Sequence, residues 1–200
     1  MKVRANRAFG SFRRRIAERA ELMRPWQGAA YRVTTLDYPS PKSILLGQGS
    51  FLYGGRWNAA GSFRAVYGST TDVVAVAESR ANAEYAGMPF PFRTPRLLVT
   101  LELNLERVID LTQQATLRLL DLVPDEFRLE DWRKLQVQGC ESLSQCFGRA
   151  VFESGANALL APSARVPGGV NLVYLPENRG GVNEARVCEP EKLERIKGKD

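Results

Sequence analysis

The chain has 200 residues, 44% of them hydrophobic, which suits one domain with a substantial core. A formal charge of +6 and a pI of about 9.5 call for an anionic partner: nucleic acid, nucleotide or acidic protein. There is no histidine, which excludes Ser-His-Asp triads, Cys-His dyads and imidazole-held metals together and leaves carboxylates, hydroxyls and arginines for any catalysis.

In chain order, the first nineteen residues hold Lys2, Arg4, Arg7, Arg13, Arg14, Arg15 and Arg19. Within them Phe12, Ile16, Ala20 and Met23 form one helical stripe that Arg24-Pro25 closes. The basic segment reads as a solvated helix or as a nucleic-acid patch. It lacks an apolar h-region, and nowhere do about 18 apolar residues run together, so neither a secretory signal nor a membrane span is expected. "AAYRVTTL" (29–36) reads as a strand, "DYPSPKSILLGQGS" (37–50) as a loop and "SFRAVYGS" (62–69) as a strand. "TTDVVAVAESRANAEYAG" reads as a helix capped by Thr70, Thr71 or Asp72 and ended by Gly87. "RLLVTLELNL" alternates as a strand, extended by "RVIDLT". Helices follow at 113–122 and 141–154, then short buried strands in "ANALLAPSA" and "GVNLVYLP" and a terminal helix in "PEKLERIKG". Strands and helices mix without regular βαβ alternation, which predicts an α+β fold. Cys140, Cys146 and Cys188 form no C-x-x-C pair, so neither a disulfide framework nor a zinc site is expected and a reducing cytoplasm is the default location.

Helical spacing puts Val74, Glu78, Ala81 and Tyr85 on one face, and a carboxylate on such a stripe is paired with a cation, functional, or a boundary residue reaching water. In "GGRWN" (54–58) the glycines permit positive φ and close backbone approach, so Arg56 can turn its forked donors toward an anion. Trp57 stacks on a ligand base or anchors the turn. Strand alternation sends Tyr31 and Arg32 to opposite faces. Ser163 follows a buried strand and a proline, as a loop serine or cap does.

Taken together, "YR" at 31–32, "GGRWN", a tyrosine eleven residues after Arg56, a glutamate eleven after that, and "APSAR" at 161–165 resemble the RES domain. The family's arginine fits Arg32 or Arg56, its glutamate Glu78 and its serine Ser163. The likeness covers roughly residues 28–178, with a basic helix or arm (1–27) before it and an extension with a short helix (179–200) after it. It implies an ADP-ribosyltransferase-like α+β fold, with a mixed, mostly antiparallel sheet among helices. It also implies a toxin that cleaves the nicotinamide–ribose bond of NAD+, or transfers ADP-ribose to a protein, with NAD+ as substrate and neither cofactor nor metal. The implied partner is an Xre-like helix-turn-helix antitoxin that blocks the active site in a dimer or hetero-oligomer. DNA would be reached only through that antitoxin. On this likeness Glu78, Arg56 and Ser163 are catalytic, and Arg32, Tyr31, Tyr67, Asn58, Gly55 and Asn171 bind NAD+. A rival from another class is a basic nucleic-acid module acting through the arm.

Overall fold

The computed structural model describes residues 3–36, 40–88, 95–178 and 184–197. Helix α1 (Phe9–Ala17) leads through a single 3-10 turn (Ala20–Leu22) into the long strand β1 (Met23–Thr35). Helices α2 (Pro41–Leu46) and α3 (Gln48–Tyr53) precede strand β2 (Val66–Ser69), helix α4 (Asp72–Tyr85) and strand β3 (Arg96–Asp110). Helices α5 (Gln114–Leu120), α6 (Pro124–Leu129), α7 (Trp132–Val137) and α8 (Leu143–Glu153) then lead to strands β4 (Ala158–Pro162) and β5 (Val170–Tyr174). Strand β6 (Glu184–Val187) and helix α9 (Pro190–Lys197) end the described chain.

The sheet runs β1-β2-β5-β4-β3-β6, and a further pairing of β1 with β3 closes it on itself. The β3–β4 pair is parallel and the other described pairs are antiparallel, so the α+β expectation holds. Neighbouring residues point to opposite sides, and each side has its own core. Leu159, Val173 and Ile109 pack with Phe12 and Ile16 of α1 and with Phe147 and Val151 of α8. Leu160, Leu172 and Leu101 pack on the other side with Ile44 and Leu45 of α2. This explains "SFRAVYGS": Val66 is as buried as Phe63 and Ala65, because both faces of the sheet are covered, and the strand starts only at Val66.

Two expectations change. Within 37–50, where residues 37–39 lie outside the described segments, the proposed loop contains α2 and the start of α3. Pro41 is not a breaker but the first helical residue, where its missing N–H costs nothing. Ser40 and Ser43 cap each other reciprocally, and Gly47, at φ 69°, ends α2. Of the solvated helix or arm expected in the basic segment, the helix forms, but it packs on the domain. Phe12 meets Phe147 edge-on at 5.3 Å, and the Asn6 backbone N–H donates to Glu141 Oε2 at 2.8 Å. Arg149 clamps that same carboxylate at 2.7 and 2.8 Å. Strand β1 crosses the proposed 27/28 boundary without a break, pairing with β3 from Met23 to Thr35.

Candidate active site

One row of paired residues crosses four strands: Tyr31 on β1 faces Ser69 on β2, Ser69 faces Asn171 on β5, and Asn171 faces Ala161 on β4. Helix α4 rises from the end of β2, with the Thr71 hydroxyl accepting from the Val74 N–H as its cap. The β4–β5 hairpin presses against that helix. A Cβ on Gly169 would come within 2.7 Å of Val74 Cγ2, so glycine permits the approach. The buried face of α4 is Val74, Ala75 and Ala83, with Glu78 at its half-buried edge and Tyr85 exposed, a face rotated from the expected stripe.

Glu78 is therefore half-buried and, among the described residues, not ion-paired. Its Oε1 accepts from Ser163 Oγ at 2.6 Å and from Asn171 Nδ2 at 2.8 Å. Among the described residues its Oε2 receives no hydrogen bond. Ser69 Oγ donates to Asn171 Oδ1 at 2.8 Å, which fixes the direction of the amide. Ser163 Oγ also accepts from the backbone N–H groups of Arg165 and Val166 at 3.0 and 3.1 Å. The serine thus both caps its turn and orients the carboxylate.

Glu78 opens on a cleft of about 420 Å³, a size suited to a small-molecule ligand. Tyr31, Tyr67, Gly55 and Asn171 line it as well. Among the described residues five arginines line it, at positions 32, 56, 96, 133 and 165, against this single acidic side chain. Arg32 Nη1 donates to the Tyr67 carbonyl at 2.7 Å, while its Nε is buried without a hydrogen-bond partner among the described residues. Burial holds its pKa below the usual arginine value. Arg56 donates to the Phe127 carbonyl. Burial lowers its pKa too, opposed by the charges of Glu78 and Glu130. Buried donors of this kind fit an anion with oxygen acceptors.

The "GGRWN" glycines work differently from the expectation. Gly54 does need its φ of 75°. At Gly55, however, a Cβ would lie 2.3 Å from the Tyr67 hydroxyl, so the close approach is to a side chain of the fold. That hydroxyl accepts from the Trp57 N–H at 3.0 Å and donates to Asn58 Oδ1 at 2.8 Å. Burial pushes its pKa well above the ordinary tyrosine value. Asn58, expected at the ligand, is fully buried behind the turn, and its Nδ2 donates to the Ser50 and Phe63 carbonyls. Trp57 is packing: it meets Phe127 and Phe147 edge-on.

Sequence reasoning missed what holds the turn from below. Gln145, buried on α8, donates to the Gly55 carbonyl at 3.0 Å and to Gln136 Oε1 at 2.9 Å. A Cβ on Gly148 would sit 1.8 Å from the Trp57 carbonyl oxygen. A glutamine and a glycine set among the apolar residues Cys146, Phe147, Ala150 and Val151 of α8 were the available signal. Ser69 was missed too, although it lies directly across from Asn171.

A family model for the RES domain matches residues 29–194. No curated protein sequence matches the chain. Among solved structures, a chain of the M. tuberculosis MbcT–MbcA toxin–antitoxin complex has a similar fold. The TM-score is 0.66 at 22% identity, over 94% of this chain and 97% of that one.

Proposed function

This chain belongs to the RES domain family, and from that premise we infer that it is the toxin of a toxin–antitoxin pair and breaks the nicotinamide–ribose bond of NAD+. The observation that carries the reading is Glu78, held by Ser163 and Asn171 at the edge of an arginine-lined cleft.

In the proposed reaction, the bond between ribose C1′ and the nicotinamide ring nitrogen breaks and its electron pair leaves with nicotinamide. C1′ passes through an oxocarbenium-like state, as in glycoside hydrolysis. Water adds to C1′ and gives up a proton, so the products are nicotinamide, ADP-ribose and H+. The leaving group departs from a cationic ring and needs little acid catalysis. Neither a metal nor histidine is required. The Glu78 carboxylate stabilises the positive charge at C1′ and orients the acceptor. Arg32 and Arg56 hold the diphosphate, and Tyr31 and Tyr67 flank the nicotinamide. Because the Ser163 hydroxyl already donates to Glu78, Ser163 acts through that carboxylate and is a positioning residue.

The similar fold found in a toxin–antitoxin complex supports an antitoxin partner, for which we propose an Xre-like protein covering the cleft in a cytoplasmic complex. Met88, exposed where it lines the cleft, suits such a cover.

The test follows nicotinamide and ADP-ribose after mixing the pure chain with NAD+. Equimolar release of both is expected, and Glu78→Gln lowers the rate by about 10²–10³-fold with the melting temperature kept. Nicotinamide without free ADP-ribose would redirect the reading to transfer onto a protein acceptor. NAD+ left intact would overturn it, and an equally active Glu78→Gln variant would overturn the role of Glu78.

A further inference from the structure

The cleft holds more positive charge than a diphosphate needs. Two guanidinium groups match its two negative charges, and an oxidised nicotinamide brings a positive charge of its own. Yet Arg133 and Arg165 also line the cleft.

Both are anchored. The Arg133 guanidinium lies 4.4 Å from the ring centroids of both Tyr85 and Trp132, and it donates to Asn82 Oδ1 on α4. Arg165 is exposed, but its backbone N–H is tied to Ser163 Oγ. Arg56, the third member, is tied to the Phe127 carbonyl. The loop after α3, helix α7 and the β4–β5 hairpin thus bring three like charges together. Arg165 adds to the effect of burial in lowering the pKa of Arg56, and Arg56 and Arg165 do the same to Arg133. Such a cluster is repulsive until an anion enters it.

We propose that Arg56, Arg133 and Arg165 form a second anion subsite for a phosphomonoester carried by the dinucleotide, so that a 2′-phosphorylated dinucleotide is bound in preference to the unphosphorylated one. The proposal rests on reading the cleft as a dinucleotide site. Forked donors suit a phosphate dianion, and arginine is the side chain that accommodates a 2′-phosphate in other dinucleotide sites. Arg133 and Arg165 are the specificity-determining residues, since Arg56 also serves the diphosphate.

The test is calorimetric titration of adenosine 2′,5′-bisphosphate and of adenosine 5′-monophosphate into the full chain, Arg133→Gln and Arg165→Gln. The bisphosphate should bind about tenfold tighter than the monophosphate, and each variant should remove most of that ratio. Arg165 is exposed, so its variant keeps the test alive if loss of Arg133 disturbs the fold, which circular dichroism would show. Equal affinities, or a ratio that survives both substitutions, overturn the proposal. So does inorganic phosphate that competes equally with both nucleotides, because the subsite then serves a free anion. Failure of both nucleotides to bind overturns it together with the dinucleotide reading. Nicotinamide release from NAD+ with no preference for the bisphosphate overturns the subsite alone.

Discussion

Ser163 Oγ donates to Glu78 Oε1 at 2.6 Å across 85 residues of chain, joining the β4–β5 hairpin to helix α4. The bond is short and charge-assisted, and it belongs to a group already fixed by two backbone N–H donors. It leaves the second carboxylate oxygen as the one a ligand can meet.

Ser163→Ala removes both functions of that hydroxyl. The turn loses an acceptor for two N–H groups, which costs about 1–2 kcal/mol in a urea melt. Glu78 keeps Asn171 as a donor but loses its shortest bond, so nicotinamide release should fall by about 10–100-fold, less than for Glu78→Gln. A loss equal to that of Glu78→Gln would mean that the serine touches the substrate itself.

Arg32 presents the opposite balance of stability and function. Among the described residues its buried Nε has no hydrogen-bond partner, and burial already pulls its pKa down. Replacing a poorly compensated buried charge by an apolar chain of similar size removes its desolvation cost. Arg32→Met should therefore melt at or above the temperature of the parent while losing NAD+ binding, a trade expected of a residue kept for its ligand. A strongly destabilised variant would assign Arg32 to the fold through its bond to the Tyr67 carbonyl.

Tyr67 supplies a pH test. Its folded-state pKa is raised, chiefly by burial, above the unfolded value of about 10. For an acid held neutral in the fold, the associated stability is complete below the unfolded pKa and declines as pH rises above it. Tyr67→Phe has no such decline, but it loses the bonds to the Trp57 N–H and Asn58 Oδ1, about 1–2 kcal/mol at pH 7. The gap between the two proteins should then narrow by about 1.4 kcal/mol per pH unit above pH 10, measured by denaturant melts from pH 8 to 11. A constant gap would mean that the hydroxyl is solvated.

The regular elements were largely legible, because strand alternation and helical periodicity survive in one dimension. The N-cap and end of α4 and the β4 and β5 strands all follow from local patterns. The Glu78–Ser163–Asn171 cluster was suggested by family likeness but not by periodicity, since its members lie 85 and 93 residues apart. What stayed hidden had its cause elsewhere in the chain. Asn58 looked like a ligand contact because the carbonyls it serves, Ser50 and Phe63, leave no local signature. Arg133 was passed over because its anchors lie on α4 and in its own neighbour Trp132, in a segment with no family pattern to mark it.

The basic amino-terminal segment gives the remaining prediction, and here charge alone misleads. Its arginines suggest a solvated helix or arm, yet Phe12 and Ile16 are 6% and 2% exposed in the core shared with α8, and Phe12 meets Phe147 edge-on. Phe12→Ala should cost about 3–5 kcal/mol, a large share of the roughly 5–15 kcal/mol that holds an ordinary domain together. Neutralising the exposed Arg13 and Arg14 on the same helix should shift the melt by no more than about 0.5 kcal/mol each. Urea melts of the three variants separate the alternatives. An arm that served only nucleic acid would leave Phe12→Ala as stable as the parent. An arm that is part of the fold makes the phenylalanine decisive and the arginines dispensable, because α8, on which it packs, carries the Gln145 and Gly148 contacts that hold the Arg56 turn in place.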